Sequence, residues 1–345
     1  MKKNWLYFLV FLSLGIFIGI ESSVKPSQNS KTNIAPTPAI MPATTSLTKT
    51  QETEMTFTFA GDAMFGRAVY NQFGNDLTKA FRNLDKSLFN SDINILNLEG
   101  PIVEEKFIPD TTPDNLVMKF PPSTKDALGW LNINAISLGN NHTLDQGNTA
   151  LDFTKKTLAN AKITSIGDQQ NKNEIVKVFE KEDLKIAILA INFLTNTPDL
   201  EEEIKKQKND NAFVIIFPHW GNEYQSTHNK TQEKLARNWI DEGADLIIGS
   251  HPHVVQDAEI YKEKPIFYSL GNFLFDQTFS KETQRSLVIK GKIKGNKLTL
   301  ELIPLGSLHL RLYVLEDNEK EQIIKIFEKT FKNQINNSLI ELNIN

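Results

Sequence analysis

Apolar runs of strand length alternate with segments of helical spacing from about residue 55 onward. The apolar runs predict strands at Phe57–Ala60, Ile93–Leu98, Ala135–Leu138, Ile163–Ile166, Leu184–Ala190, Phe213–Phe217, Leu246–Ile248 and Ile266–Tyr268. The helical spacing predicts helices at Asp76–Leu88, Thr124–Leu131, Thr149–Ala159 and Thr231–Glu242. Strands that alternate with helices tend to pair in parallel and to be covered on both faces. The pattern therefore predicts an α/β domain with largely buried strands.

The pattern changes toward the C-terminus. Two strand-like runs, Ser286–Lys294 and Lys297–Ile303, flank Gly295-Asn296, a pair of residues typical of a tight hairpin turn. Helical spacing returns at Glu319–Phe331. We therefore expect a main domain at 55–315, followed by a C-terminal helix and tail at 316–345.

The N-terminal residues predict export and attachment to a membrane. Lys2 and Lys3 precede Trp5–Ile20, which is uncharged and almost wholly apolar. This segment has ~16 residues, slightly fewer than the ~17–25 that span a bilayer. Residues 1–21 therefore read as an uncleaved signal anchor or a cleaved signal peptide, and the two lysines place the N-terminus inside.

Residues 22–54 are rich in Ser, Thr, Pro, Asn and Lys, and such a composition predicts a disordered tether. The expected location is the cell membrane, with a single pass and an extracytoplasmic folded domain. A secreted protein is the alternative.

Overall composition excludes some classes of function. The net charge is −4 and the pI is about 5.9, so we expect no nucleic-acid partner. The chain has no cysteine, which excludes disulfides and zinc–thiolate sites.

Polar motifs follow the predicted strands. Five of the six histidines lie in or beside three such motifs: Gly-Asn-Asn-His-Thr-Leu-Asp-Gln-Gly at 139–147, Pro-His-Trp-Gly-Asn-Glu-Tyr at 218–224 and Gly-Ser-His-Pro-His-Val at 249–254. Gly61-Asp62 and Asn97-Leu98-Glu99-Gly100 follow two further strands. An α/β sheet collects distant side chains at its strand ends, so these motifs predict a metal or phosphate site.

Each motif also has an ordinary structural reading. His251 and His253 can point at one ion if their loop turns, and Pro252 stiffens that loop. The ordinary reading is a surface loop in which the two histidines are incidental. A histidine at the end of a buried strand, such as His219, is usually a core or capping residue. For Asp62 the ordinary reading is the N-cap of the next helical segment, because Asp is common at that position. Glu99 precedes Gly-Pro and could simply be a turn residue.

Six motifs, in this order, resemble the CapA-type bacterial capsule-synthesis (poly-γ-glutamate) family. They are Phe59–Arg67, Asn97–Gly100, Asn140–Gly147, His219–Tyr224, Gly249–Val254 and Tyr268–Phe273. The resemblance covers roughly residues 56–280. That family is itself similar to the calcineurin-like metallophosphoesterases.

The resemblance implies two packed mixed β-sheets flanked by helices, with the site at the carboxyl ends of the strands. It implies a divalent ion (Mn, Zn or Fe) and a ligand set of Asp62, Asn141, His219, His251 and His253, with Glu99 roughly where phosphoesterases have a bridging Asp. It makes His142 a proton donor and adds Arg67 and Glu223 as catalytic candidates. Asn272 also matches a motif, without an assigned role.

One departure concerns the first motif. Phosphoesterases have Asp-x-His there, whereas this chain has Asp62-Ala63-Met64. A thioether is a poor ligand for the hard or borderline ions of such sites, so one of two metal positions has lost a ligand.

The function implied by the resemblance is that of an envelope-anchored protein in capsule, poly-γ-glutamate or related surface-polymer synthesis. The expected partners are the membrane, an anionic surface polymer and a capsule-synthesis membrane complex. Three alternatives stay open: a metal-dependent phosphoesterase of envelope compounds, a non-catalytic polymer-binding partner of the complex, and a peptidase-like activity on γ-glutamyl bonds.

Overall fold

The computed structural model describes residues 52–104, 116–168, 170–194 and 199–344. The predicted anchor at 1–21 and nearly all of the predicted tether lie outside these residues. Within the described residues, no helix is both long and apolar enough to cross a membrane.

The strands, in chain order, are β1 (Glu54–Ala63), β2 (Ile93–Leu98), β3 (Ala135–Ser137), β4 (Thr164–Ile166), β5 (Val176–Lys181), β6 (Leu184–Asn192), β7 (Phe213–His219), β8 (Leu246–Ile248), β9 (Ala258–Tyr261), β10 (Lys264–Phe267), β11 (Asn272–Leu274), β12 (Arg285–Lys294), β13 (Lys297–Leu308), β14 (Arg311–Val314), β15 (Ile335–Asn336) and β16 (Leu339–Asn343). The α-helices are α1 (Arg67–Phe73), α2 (Thr124–Trp130), α3 (Gly147–Asn160), α4 (Glu201–Asn209), α5 (Lys230–Asp241) and α6 (Asp317–Phe331).

These strands form two mixed sheets. In the described part of the chain, the larger sheet has the order β15-β16-β13-β12-β1-β2-β3-β4, with β11 beside β1 and β14 beside β13. Its β1–β4 half is parallel, whereas the β12–β16 half is antiparallel. The second sheet has the order β5-β6-β7-β8-β10-β9, and its four central strands are parallel. The protein is therefore a mixed α/β protein with two sheets.

The inner faces of the two sheets share one apolar cluster. Phe59 of β1 meets Phe217 of β7 edge to face, with ring centroids 5.2 Å apart, and both side chains are almost fully buried. Ile95 of the larger sheet and Ile188 of the second belong to the same cluster. Contact across the two sheets brings their parallel strand ends to one side.

Helices cover the outer faces. Amphipathic α5 buries Ala236, Trp239 and Ile240 against the second sheet. It starts with a capping box, in which the Asn229 side chain accepts from the backbone N–H of Gln232 and the Gln232 side chain accepts from that of Asn229. These two bonds fix where α5 begins.

The structure confirms the predicted strands, the C-terminal hairpin and most helices, with ends that differ by a few residues. The helix predicted at Asp76–Leu88 is wrong, because two short 3-10 turns, Leu77–Phe81 and Lys86–Phe89, stand there. The Asp85 side chain caps the second turn by accepting from Ser87 N–H, a local bond that competes with a continuous helix. At the C-terminus, β16 joins the larger sheet by pairing with β13.

Candidate metal centre

The predicted site residues gather where the parallel strands of both sheets end. Asp62 lies near the end of β1, Glu99 follows β2 directly, and His219 is the last residue of β7. Close backbone approach at this edge requires glycine: a Cβ on Gly61 would stand 1.9 Å from the carbonyl oxygen of Gly271. The fold thus places distant segments of chain around one point.

Two overlapping groups of side chains have the geometry of metal sites. Glu99, His251 and His253 form one group, and Asp62, Glu99 and His219 form the other. In each group, one potential ligand atom per residue lies within 4.8 Å of the others, and all five residues are buried. Glu99 belongs to both groups, so it is the one residue of the five that could contact an ion in either of them.

Glu99 is the least satisfied polar side chain of the centre. Among the described residues, neither of its carboxylate oxygens has a hydrogen-bond partner, although both are buried. Its Oε1 faces three imidazole nitrogens: Nε2 of His253 at 3.6 Å, Nε2 of His219 at 3.8 Å and Nε2 of His142 at 3.9 Å. A buried carboxylate without partners is costly unless it is protonated or coordinates a cation. A divalent ion held by Glu99 and by the nitrogens of His219 and His253 would satisfy these groups together.

The carboxylate of Asp62 is held by its neighbours. Its Oδ1 accepts from Asn97 Nδ2 at 2.8 Å, and its Oδ2 accepts from the backbone N–H of His251 at 3.0 Å. Burial nevertheless raises the pKa of Asp62 to about 7. Burial, followed by the charges of Asp62 and Glu223, also raises the pKa of Glu99 well above its usual range. Two acids destabilised as anions at one point are suited to a bound cation.

His219 connects the two sheets. Its Nε2 lies 2.9 Å from Asn141 Oδ1, and its Nδ1 lies 3.0 Å from Ser250 Oγ and 3.2 Å from Asn97 Nδ2. The hydroxyl of Ser250 can accept or donate, so it accommodates either tautomer of the ring. Asn97 Nδ2 is an amide donor, so His219 Nδ1 accepts from it and Nε2–H donates to Asn141 Oδ1. Loss of that Nε2 proton would leave Nε2 and the Asn141 oxygen both available to a metal ion.

The loop after β8 carries the paired histidines in an unusual backbone conformation. The φ angles of His251 and His253 are 97° and 60°, a region that residues with a Cβ rarely adopt. Such strain is characteristic of functional sites, where the surrounding structure maintains it. The two rings, on either side of Pro252, are both buried and their centroids lie 5.7 Å apart.

Asn272 fixes the tautomer of His253. Its Nδ2 donates to Gln277 Oε1 at 3.0 Å and to the carbonyl of Thr283 at 3.1 Å, so its Oδ1 must be the atom that faces His253 Nδ1 at 2.9 Å. His253 therefore carries its proton on Nδ1, and its bare Nε2 points toward Glu99. Outer hydrogen bonds of this kind orient metal ligands. The motif alone did not reveal these hydrogen bonds of Asn272.

His142 has the arrangement of an oriented acid or base. Its Nδ1 lies 2.7 Å from Asp145 Oδ2, and its Nε2 is on the side of Glu99. Asp145 is in turn held by the backbone N–H of Met118. A carboxylate on Nδ1 holds the ring in place and directs Nε2 toward the centre.

Burial keeps the ligand imidazoles neutral. It lowers the pKa of His251 to about 4 and that of His253 to about 3, with smaller contributions from neighbouring histidines. Burial and the charges of His251 and His253 lower the pKa of His219 well below its usual value. Neutral imidazole is the form that binds metals.

Arg67 and Glu223 stand at the periphery. The guanidinium of Arg67 pairs with Asp276, with Nε 3.1 Å from Oδ2, and lies 5.6 Å from the ring centroid of Phe275. Glu223 is exposed on the loop after β7, close enough for its charge to raise the pKa of Glu99. Neither residue belongs to either of the two candidate ligand groups.

Met64 is fully buried in an apolar cluster with Phe65 and Val69, and its sulfur accepts from the backbone N–H of Gly66 at 3.1 Å. The sulfur is thus engaged with the backbone of its own loop.

Sequence reasoning missed the partners of the site residues. Asn97, Asp145 and Asp276 orient Asp62, His142 and Arg67, respectively. The first two lie inside the polar motifs, one or a few residues from the predicted ligands, which is a usable signal. Asp276 offers no comparable signal, because 209 positions separate it from Arg67.

The set of donors is consistent with a divalent ion. It consists of carboxylate and amide oxygens and imidazole nitrogens, which suit Zn, Mn or Fe. The unpartnered oxygens of Glu99 and the buried Nδ1 of His251, which also has no hydrogen-bond partner among the described residues, are the atoms that such an ion would satisfy.

Comparison with known proteins identifies the family. The family model described as bacterial capsule synthesis protein PGA_cap matches residues 56–277. The chain belongs to this family. Capsule biosynthesis protein CapA of Bacillus anthracis is 30% identical over 333 residues, covering 88% of this chain and 77% of that protein. PGA biosynthesis protein CapA of Bacillus subtilis (strain 168) is 29% identical over 260 residues, covering 69% of this chain and 67% of that protein. The resemblance of the six motifs to a CapA-type family is therefore confirmed.

The PGA_cap match includes every predicted ligand and catalytic candidate of this family member. Among solved structures, Vps29 of Chaetomium thermophilum aligns with 64% of this chain and 90% of its own at 14% identity and a TM-score of 0.29.

Proposed function

We propose that this protein acts in the synthesis of capsule poly-γ-glutamate or a related surface polymer through a divalent-metal centre. The names of its Bacillus relatives support the polymer, and the two unpartnered oxygens of buried Glu99 support the metal. In this proposal the ligands are Asp62, Glu99, Asn141, His219, His251 and His253, and the two sheets are the metallophosphoesterase-like sandwich that the motifs imply.

A bound ion would supply Lewis-acid chemistry: it lowers the pKa of coordinated water or polarises a carbonyl or phosphoryl oxygen. The residues of this chain do the rest. His142, held by Asp145 through Nδ1, delivers a proton from Nε2 to the leaving group. Asn97 and the His251 backbone hold the Asp62 carboxylate in place. The buried position of these groups limits the access of water.

The His142–Asp145 pair also suits a second candidate, a metal-dependent phosphoesterase of envelope compounds. Proton delivery to a leaving group serves cleavage of a γ-glutamyl amide and of a phosphate ester equally well. The two candidates differ in the bond that is broken. A non-catalytic polymer-binding partner of a membrane complex would hold the metal without turnover.

The testing experiment has two stages. Elemental analysis of the purified protein identifies the metal, and a screen of γ-linked glutamate oligomers and phosphate esters follows with that metal restored. Turnover of the oligomers that is lost in His142→Ala supports the polymer assignment. Turnover of the esters alone favours the phosphoesterase. Stoichiometric metal without turnover of any substrate favours the polymer-binding partner.

We also propose that the folded domain is extracytoplasmic and joined to the membrane through residues 1–21. The basic start and the apolar stretch that follows support this location. A reporter enzyme that is active only in the cytosol, fused after Asn345, is expected to stay silent. Strong reporter activity would place the domain in the cytoplasm.

A further inference from the structure

Two exposed aromatic side chains lie at the edge of the candidate metal centre. Tyr224 is 44% exposed and Phe279 is 66% exposed. Their rings meet edge to face with centroids 5.2 Å apart, and the Tyr224 centroid is 6.1 Å from that of His253. Single exposed apolar residues are ordinary on a protein surface. This pair is different, because it extends from a metal-ligand candidate to the solvent.

The position of Tyr224 is fixed by the residues that also fix the ligands. Its backbone N–H donates to the carbonyl of Pro252 at 2.8 Å, between the paired histidines, and its φ is 60°. Its hydroxyl accepts from Gln277 Nε2 at 3.1 Å, and Gln277 Oε1 accepts from Asn272, the residue that orients His253. A residue with a strained backbone that is held by these two hydrogen bonds is a rigid element rather than a loose surface side chain.

The local charge selects the kind of group that can occupy this surface. Glu223 precedes Tyr224 and is exposed beside it. Burial, together with the Glu223 charge and hydrogen bond, raises the pKa of the Tyr224 hydroxyl to about 12. The tyrosine is therefore neutral, and the adjacent carboxylate disfavours a second anion. An uncharged apolar group is the complementary ligand.

We propose that Tyr224 and Phe279 form an aliphatic subsite, which binds an uncharged methylene stretch of the substrate next to the group held by the metal. This inference rests on the proposed function of the same site. In a γ-linked glutamate chain, the stretch would be the methylene segment of the unit that adjoins the reacting bond. The charged carboxylates of the chain would then lie outside the aromatic pair.

The subsite can be tested without the polymer, with a homologous series of alkyl hydroxamates on the metal-loaded protein. The hydroxamate head binds the ion, and the tail grows from acetohydroxamate through butanohydroxamate to hexanohydroxamate. In the wild type we expect the affinity to rise by about three- to fourfold for each methylene that reaches the aromatic pair. In Tyr224→Ala and Phe279→Ala, the affinity should no longer rise with the length of the alkyl tail. Acetohydroxamate binding and metal content should be unchanged.

Two control variants make the comparison specific. Leu339→Ala removes another exposed apolar side chain, on β16. In this variant the affinity should rise with tail length as it does in the wild type. Tyr261→Phe removes a hydroxyl that donates to Asp241 and should also behave as wild type, whereas Tyr224→Phe keeps the ring and most of the dependence.

The outcomes separate the subsite from the proposed function. A wild type that binds metal but shows no dependence on tail length overturns the subsite, as does a dependence that survives both alanine variants. The effect of tail length on affinity can be lost in those variants while the wild type neither binds nor converts γ-linked oligomers. That result supports the subsite and excludes the polymer as the substrate. A wild type that binds no divalent metal overturns both.

Discussion

Oε1 of Glu99 lies 3.6 Å from Nε2 of His253, and among the described residues neither oxygen of this carboxylate has a hydrogen-bond partner. Glu99 follows β2 of one sheet, whereas His253 follows β8 of the other. The tautomer of His253 leaves its Nε2 without a proton, so an ionised Glu99 and this imidazole would present lone pairs to each other. That arrangement is unfavourable by itself and favourable around a cation.

Glu99→Gln tests the cost of this carboxylate. We expect the variant to lose metal, because an amide is a poor substitute for a bridging anion. Without metal it should be as stable as the wild type or more so, because it removes a buried group whose ionised form is strongly disfavoured. Thermal unfolding with and without metal measures both effects.

The control for this variant is Glu341→Gln on the exposed face of β16, which should change neither metal binding nor thermal stability. A Glu99→Gln protein that binds metal as well as the wild type would remove Glu99 from the ligand set.

The pH dependence of metal affinity follows from the raised pKa of Asp62. Because burial sets this pKa at about 7, metal binding below that pH must displace a proton from the folded protein. Affinity should therefore rise with pH up to at least about 7. Titration calorimetry in two buffers of different protonation enthalpy counts the released protons, and binding without proton release near pH 6 would contradict the prediction.

The ligand histidines give the metal-free protein an acid-sensitive stability. The pKa of His251 is lowered from 6.5 to about 4 on folding, so between these values the unfolded state binds more protons. The free energy of unfolding should therefore fall as the pH drops from about 6.5 to about 4. Asp62 acts in the opposite sense: its raised pKa costs stability as the pH rises from 3.8 to about 7.

Denaturant unfolding of the metal-free protein between about pH 4 and pH 7 measures the sum of the His251 and Asp62 effects on the free energy of unfolding. In His251→Asn the acid-side loss should be smaller, because one buried titrating group has been removed. An unchanged acid-side loss in that variant would show that His251 does not titrate as its burial indicates.

His142 and His251 are expected to respond differently to substitution. His142→Ala should cut turnover by roughly 10²-fold or more while leaving metal content nearly intact, because a general acid is not a ligand. His251→Ala should lose metal and activity together. Asp145→Asn should lower turnover without loss of metal, since it removes the carboxylate that orients His142.

Metal content and turnover of all three variants, each checked for folding, distinguish the roles. If His142→Ala unfolds the protein, its role is structural. Loss of metal in His142→Ala would make it a ligand instead.

Asn272 should control metal affinity without contacting the metal. Asn272→Ala removes the acceptor for His253 Nδ1–H, and loss of such an outer contact typically weakens metal binding by about 10- to 100-fold. Asn336→Ala, on exposed β15, is the matched control. Equal metal affinities for the two variants would show that the tautomer of His253 does not depend on Asn272.

The strands, and therefore the points where they end, could be predicted from the sequence because each strand is a recognisable apolar run. Phe213–Phe217 and Ile93–Leu98 each precede a polar motif, so the location of the ligands followed from parallel strands ending at one edge. The helix predicted at Asp76–Leu88 failed because local capping by Asp85 outweighed its helical spacing.

Other features depend on pairs that no local pattern records. The strand β11, three residues long, exists because Asn272 pairs with Asp62, 210 positions away (272 − 62). The same is true of the contact between Arg67 and Asp276. The tautomer of His253 depends on the orientation of one amide, which only the folded arrangement of Asn272, Gln277 and Thr283 determines.

The central claim is that Glu99 bridges a divalent-metal centre, and a crystal structure of the purified protein with anomalous scattering from its metal tests it most directly. We expect an ion whose contacts to a Glu99 oxygen and to at least one ligand histidine are ~2.0–2.2 Å. A structure grown with stoichiometric Zn or Mn in which Glu99 binds only water or protein donors, with no anomalous peak near it, would contradict the account.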